Sequence, residues 1–201
     1  PIVDGTIDVS AWDFEIDGPL KLNGEWLLWT EKLVNEPMTW TTIRQRFVET
    51  RTVPYASQIV RKTDRRIPVE TLALRIRGLE GRNIQIYFPR VCYAANFRLV
   101  AEDHQGDVFA SAIGRASEEA HREVAVAWMP GSVEYKWSES LKQGPSGVDL
   151  LLLVAFSSHA HPSLGLPVTP ELSLKPQNPE LKSWASVQPY AFLGEIGRAH
   201  V

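Results

Sequence analysis

The chain has a single cysteine, Cys92, so it can form no internal disulfide and no zinc knuckle. That excludes a large secreted disulfide scaffold but says little about compartment, because periplasmic domains often do without disulfides. No long apolar run is present either. The most apolar stretch, "VDLLLLVAFSS" from Val148, falls far short of the roughly 20 residues a membrane-spanning helix needs, and no window has the form of a signal peptide. Strong charge of one sign is also missing. A formal net charge of -3 and a pI near 6.0 leave no basic footprint for nucleic acid or an anionic membrane face. The basic run Arg61-Lys62-Thr63-Asp64-Arg65-Arg66 is broken by its aspartate and reads as a solvated loop.

Catalytic signatures are absent as well. There is no G-x-S-x-G, P-loop or Rossmann fingerprint, and none of the five histidines stands in H-E-x-x-H spacing. Only His159 and His161, two apart, could share a face on a strand and so a metal; in a loop they read as a polar turn. The acid pairs Glu102-Asp103 and Glu118-Glu119 are adjacent, so on an extended chain they point apart and make no glycosidase pair. Cys92, beside aromatic residues, reads as a small buried apolar residue rather than a nucleophile. The expectation is a domain that is not an enzyme and that holds no cofactor or metal.

The chain is rich in strand patterns. "LALRIRGL" (72–79), "RNIQIYFP" (82–89) and "ANFRLVAE" (95–102) alternate apolar with polar residues at period two; "GDVFASAI" (106–113), "EVAVAWMP" (123–130) and "VDLLLLVAF" (148–156) continue the series. Turn residues separate them at the spacing of an all-β sandwich. Only "EKLVNEPMTWTTIRQRF" (31–47) hints at helix or irregular loop, broken by Pro37. After Leu174 the sequence turns Pro-rich and polar, which divides the chain into a sandwich domain over 1–174 and a strap or linker over 175–201.

The opening segment "VSAWDFEIDGPLKLNGEWLLWTEKL" (9–33) sets turn signals at Asp17-Gly18-Pro19 and Asn23-Gly24 around a short strand at Leu20 to Leu22. Its Trp12, Trp26 and Trp29 read as core and rim packing, each ring able to bury about 150 to 250 Å²; the alternative is a set of stacking platforms for sugar rings. This segment resembles the extracytoplasmic jelly-roll domain of bacterial seven-transmembrane receptors with diverse intracellular signalling modules. Ile7, Asp8, Ser10, Trp12, Asp13, Phe14, Asp17, Gly18, Pro19, Leu22, Gly24, Glu25, Trp26 and Trp29 fit that family's I-D-L-S-x-W-D-F-x-x-D-G-P-x-x-L-x-G-E-W-x-F-Y-W pattern. Val53-Pro54, "TLALRIRGL" and "AFSSHAHPSLGLPVTPEL" follow the family plan more loosely. Where related jelly rolls have a V-N-G turn the chain has "VAEDHQG" (100–106), and the usual Asn before the aromatic-His stretch is missing, which puts the family's sugar pocket in doubt.

The resemblance implies an antiparallel jelly-roll β-sandwich, galactose-binding-domain-like, akin to the sugar-binding jelly rolls that precede catalytic barrels in β-glucuronidases. It implies a ligand-sensing ectodomain on the periplasmic side of the bacterial inner membrane. Such a domain binds a carbohydrate or small carboxylate and regulates a cytoplasmic nucleotide cyclase, diguanylate cyclase or histidine kinase through its own transmembrane spans. On that reading the gene opens with a signal peptide and continues into several apolar spans, and a homodimer is one further partner. The alternative is a carbohydrate-binding accessory module of a secreted glycoside hydrolase.

Two surface groups read as ligand-facing. Arg90, Tyr93 and Asn96 lie between two candidate strands and combine a bidentate cation, a ring and an amide suited to a sugar acid. Trp128, Tyr135 and Trp137 cluster about a Pro-Gly turn. His159 and His161 complete the candidate set.

Overall fold

The computed structural model describes residues 1–30, 32–34, 36, 38–47, 49–58, 69–79, 81–91, 94–101, 108–119, 122–124, 129–136, 149–158 and 163–175. Its elements are β1 (Thr6–Asp8), β2 (Leu20–Lys21), β3 (Gly24–Thr30), α1 (Trp40–Arg46), β4 (Glu49–Val53), β5 (Ser57–Gln58), β6 (Val69–Arg77), β7 (Ile84–Phe88), β8 (Ala94–Ala101), β9 (Val108–Ile113), β10 (Gly131–Tyr135), β11 (Leu150–Ser157), β12 (Ser163–Leu164) and β13 (Glu171–Leu174). The larger sheet runs β4-β3-β6-β11-β8-β9, the smaller β10-β7-β13-β2, with a separate β12-β5 pair. Strands within these sheets pair antiparallel except β1, which runs parallel to the far end of β6. This is the all-β sandwich that the strand pattern predicts, of the jelly-roll kind that the resemblance implies.

One face of the larger sheet closes on the smaller sheet. Trp26, Leu72, Leu74, Phe97, Leu152 and Phe156 meet Ile84, Ile86, Phe88, Val133 and Leu172 in one buried cluster, and the Phe88 and Phe97 rings lie 4.3 Å apart across it. The opposite face is covered by α1 and the chain before it: Leu27, Ala73, Val100, Leu151 and Leu153 pack against Val34, Met38, Ile43 and Phe47. Strand β11 is therefore buried on both faces, which is why its sequence is a continuous apolar run rather than an alternation. Helix α1 begins beyond Pro37, with Thr39 as N-cap accepting the Thr42 amide at 3.3 Å. Arg44 and Arg46 fall in its last turn, where cations suit the helix dipole. Asp4 holds Arg44 at 2.7 Å and raises its pKa above the ordinary guanidinium value.

The opening tryptophans divide their roles. Trp26 is fully buried and donates its indole N–H to the Leu22 carbonyl at 3.1 Å. Trp12 packs on the edge of the same core and closes the turn by donating to the Gly18 carbonyl at 3.0 Å. Within that turn the Asp13 carboxylate accepts the amides of Glu15 and Ile16, and the Asp17 carboxylate accepts that of Asp13. Gly24 takes φ 134°, and a Cβ there would stand 2.6 Å from the Ile2 carbonyl oxygen.

One turn assignment is corrected. Pro130-Gly131 is not the centre of a turn: Gly131 opens β10, opposite Phe88. A Cβ on it would meet Ile113 Cδ1 at 2.4 Å and Phe97 Cε2 at 3.2 Å, so close packing between the sheets explains the glycine. Residues 125–128 of the strand expected over 123–130 lie outside the described residues; within the described ones Val124 bridges Arg115. The basic loop 61–66, Cys92 and the strap over 176–201 also lie outside the described residues.

A candidate ligand cleft on the outer face of the sheet

The helix-covered face carries a row of small and polar residues across three strands. Register places Thr71 of β6 opposite Ala155 of β11, and Ala155 opposite Asn96 of β8. Each polar member grips the backbone of a covering loop. Thr71, fully buried, donates its hydroxyl to the Lys32 carbonyl at 2.8 Å and accepts the Val34 amide at 3.0 Å. Asn96 pairs its amide with the Ala116 carbonyl at 3.3 Å and the Ala116 N–H at 3.4 Å. Further along β11, buried Ser157 accepts the Ser117 amide at 3.0 Å and donates to Glu123 Oε2 at 2.5 Å. Buried polar groups demand partners, and here the partners are the two loops that follow β3 and β9.

Between those loops lies a cleft of about 440 Å³, whose lining includes Trp29, Lys32, Glu36, Arg46, Ser117 and Glu118. Trp29 follows the inward Trp26 and Leu28 at the outward phase of β3. Its ring meets Phe47 edge-on at 5.4 Å and carries the Arg46 guanidinium 5.8 Å from its centroid. Glu118 faces Lys32 at 3.4 Å and accepts the Leu33 amide at 3.2 Å. Glu119, also on the lining, turns to Arg122 at 2.9 Å. The adjacent glutamates thus take different partners. An aromatic wall, two cations, three carboxylates and a hydroxyl within one cleft can stack on a sugar face and bind polar or charged substituents.

A second hollow of about 470 Å³ opens beside the first turn, among Phe14, Glu15, Pro19, Asn83, Ser173 and Lys175. There Lys175 is paired with Glu134, and Arg82 lies over the Phe14 ring.

The expected site residues are dispersed. Arg90 is exposed just beyond the end of β7, whereas Asn96 lies within β8 on the outer face and supports the cleft wall through Ala116. Tyr135 is corrected: it is fully buried, because in β10 it shares the inward phase of Val133, and it presents no ring to solvent. Tyr93, Trp128, Trp137, His159 and His161 lie outside the described residues. Among the described residues no cluster of His, Cys, Asp and Glu reaches metal-binding size, and no helix is long and apolar enough to cross a membrane. Trp29 was read only together with Trp12 and Trp26, as core and rim packing or as a stacking platform. Lys32, Arg46 and Glu118 carry no sequence motif, since their meeting depends on sheet register.

No protein-family model matches the sequence, and no curated protein matches it. Among solved structures the chain is similar to a GH2 β-galacturonidase from Eisenbergiella tayi bound to glycerol, at 13% identity and a TM-score of 0.46, over 77% of this chain and 24% of that one. It is similar in the same way to a GH2 β-galacturonidase structure from that organism bound to galacturonate, at 14% identity and a TM-score of 0.45, again over 77% and 24%. The chain corresponds to about a quarter of the length of those chains, whose 24% coverage is the same in both. Nothing about ligand or activity passes to this chain through that likeness.

Proposed function

We propose that this domain is a non-catalytic ligand-binding module for a carbohydrate or small carboxylate, with the cleft between the Lys32–Glu36 and Ala116–Glu119 segments as its site. The observation that carries the reading is the Trp29 ring with Arg46 stacked on it, set in a cleft whose walls are fixed to the sheet by Thr71, Asn96 and Ser157. Rigid walls lower the ordering cost of binding. A thermal-shift screen of neutral sugars, uronic acids and small carboxylates tests it, because a ligand selective for the folded state raises the melting temperature by mass action. Arg46→Ala should reduce the shift of any carboxylate that raises it in the unsubstituted domain; a full set of unchanged melting temperatures overturns the reading.

We further propose that the module is the periplasmic sensor of a membrane receptor with a cytoplasmic cyclase or kinase, supported by the dense fit of Ile7 to Trp29 to the receptor pattern. The accessory-module reading is its rival. The complete reading frame discriminates: several spans of about 20 apolar residues favour the receptor, and a catalytic barrel favours the hydrolase module.

A further inference from the structure

We propose that the cleft selects a ligand bearing a carboxylate and that Glu118 is its built-in competitor, an inference that rests on the cleft being the ligand site. The Glu118 carboxylate is held by a backbone N–H, that of Leu33 at 3.2 Å, and by an ammonium, Lys32 Nζ at 3.4 Å. Both donors belong to the segment after β3, and Glu118 comes from the opposite wall. The receiving side is fixed: Thr71 grips that segment on either side of the Leu33 amide, through the Lys32 carbonyl and the Val34 N–H, and Leu33 itself is buried. The fixed Leu33 amide with the Lys32 ammonium beside it forms a receptor for one carboxylate, whichever molecule supplies it.

The occupying side is loosely held. The Lys32 and Glu118 side chains are 48% and 49% exposed, and ion pairs at such exposure contribute little. Ala116 and Ser117, just before Glu118, are anchored by Asn96 and Ser157, so Glu118 can swing out by side-chain rotation while its wall stays in place. Arg46, which has no ion pair among the described residues, lines the same cavity as Trp29 and Lys32. An incoming uronate would therefore exchange its carboxylate for that of Glu118 at Lys32 and Leu33, with its ring against the Trp29 side of the cleft. A neutral sugar makes no such exchange and leaves Glu118 seated.

Isothermal titration of the unsubstituted chain, Glu118→Ala and Lys32→Ala with D-galacturonate, D-glucuronate, D-galactose and D-glucose tests this. The expected result is tighter binding of at least one uronate than of its neutral counterpart. Glu118→Ala should strengthen that uronate about two- to fivefold, the worth of one exposed ion pair, and leave the neutral sugar unchanged. Lys32→Ala should remove the preference for the acid. Uronate binding that is unchanged or weakened in Glu118→Ala, with the melting temperature retained, overturns the competitor and leaves the cleft as the site. Failure of every compound to bind any of the three proteins overturns the cleft reading and this inference together.

Discussion

The two faces of the larger sheet solve the same burial problem with different chemistry. The face toward the smaller sheet is apolar over its centre, with Trp26, Leu72, Leu74, Phe97, Leu152 and Phe156 closed against a second sheet. The face toward α1 is apolar beneath the helix and in a smaller cluster of Leu33, Val69, Ala94, Ala116 and Ala155; around that cluster, Thr71, Asn96 and Ser157 hold covering loops by their backbones. Hydrophobic packing is non-directional and scales with area, so it stabilises a sandwich without fixing the path of a loop. Hydrogen bonds from a rigid strand to a loop backbone are directional. The first face holds the domain together, and the second shapes a cleft.

Substitutions on each face test that contrast. The largest effect should come from the inner face: Trp26→Ala removes a fully buried ring and should cost about 3 to 5 kcal/mol in chemical denaturation. A variant with unchanged stability would mean the inner face does not carry the fold. On the outer face, Thr71→Val keeps the shape but removes the acceptor of the Val34 amide and the donor to the Lys32 carbonyl; about 1 to 3 kcal/mol should be lost. That loss should be accompanied by faster hydrogen exchange at Val34 than at Leu74. Asn96→Ala should cost about 1 kcal/mol and raise exchange at Ala116, with the inner core still protected. Uniform loosening of both faces would dissolve the distinction.

The smallest effect lies at the edge of the sheet. Ser10 hydrogen-bonds Asp8 through its hydroxyl and its amide and holds the Asp8 carboxyl below its usual pKa, with burial opposing and Arg77 adding a smaller favourable pull. A carboxyl depressed in the folded state lends stability above its unfolded pKa of about 3.9, and that stability is lost as the pH falls through the lower folded value. Asp8→Asn should thus melt slightly earlier than the unsubstituted chain at pH 6, and the two should converge toward pH 2. A gap that widens in acid would contradict the assignment.

Legibility in the sequence followed the same division. Strands β6 to β9 were readable where one side of each is polar, as in β7, where Ile84, Ile86 and Phe88 are buried and Gln85 and Tyr87 are not. Strand β10 was hidden because Gly131 beside Pro130 looks like a turn, whereas the glycine answers to Ile113 and Phe97 from other strands. The alternation of "GSVEY" already set Tyr135 in phase with Val133; grouping it with Trp128 and Trp137 ignored that phase. For the cleft, Trp29 was read only as one of three tryptophans used for packing or stacking, and Asn96 was read by its chemistry as a ligand contact when register places it under Ala116. Lys32, Arg46 and Glu118 come from three separate segments, and no local pattern announces their meeting.

The central claim, that the outer face shapes a ligand cleft around Trp29, is tested most directly by the indole N–H resonances of the seven tryptophans in a nitrogen-15 NMR titration with D-galacturonate. The Trp29 resonance should move saturably while that of Trp26, sealed between the sheets, stays in place. A titration in which Trp29 is unmoved, by this uronate and by D-glucuronate, D-galactose and D-glucose in turn, would contradict the account.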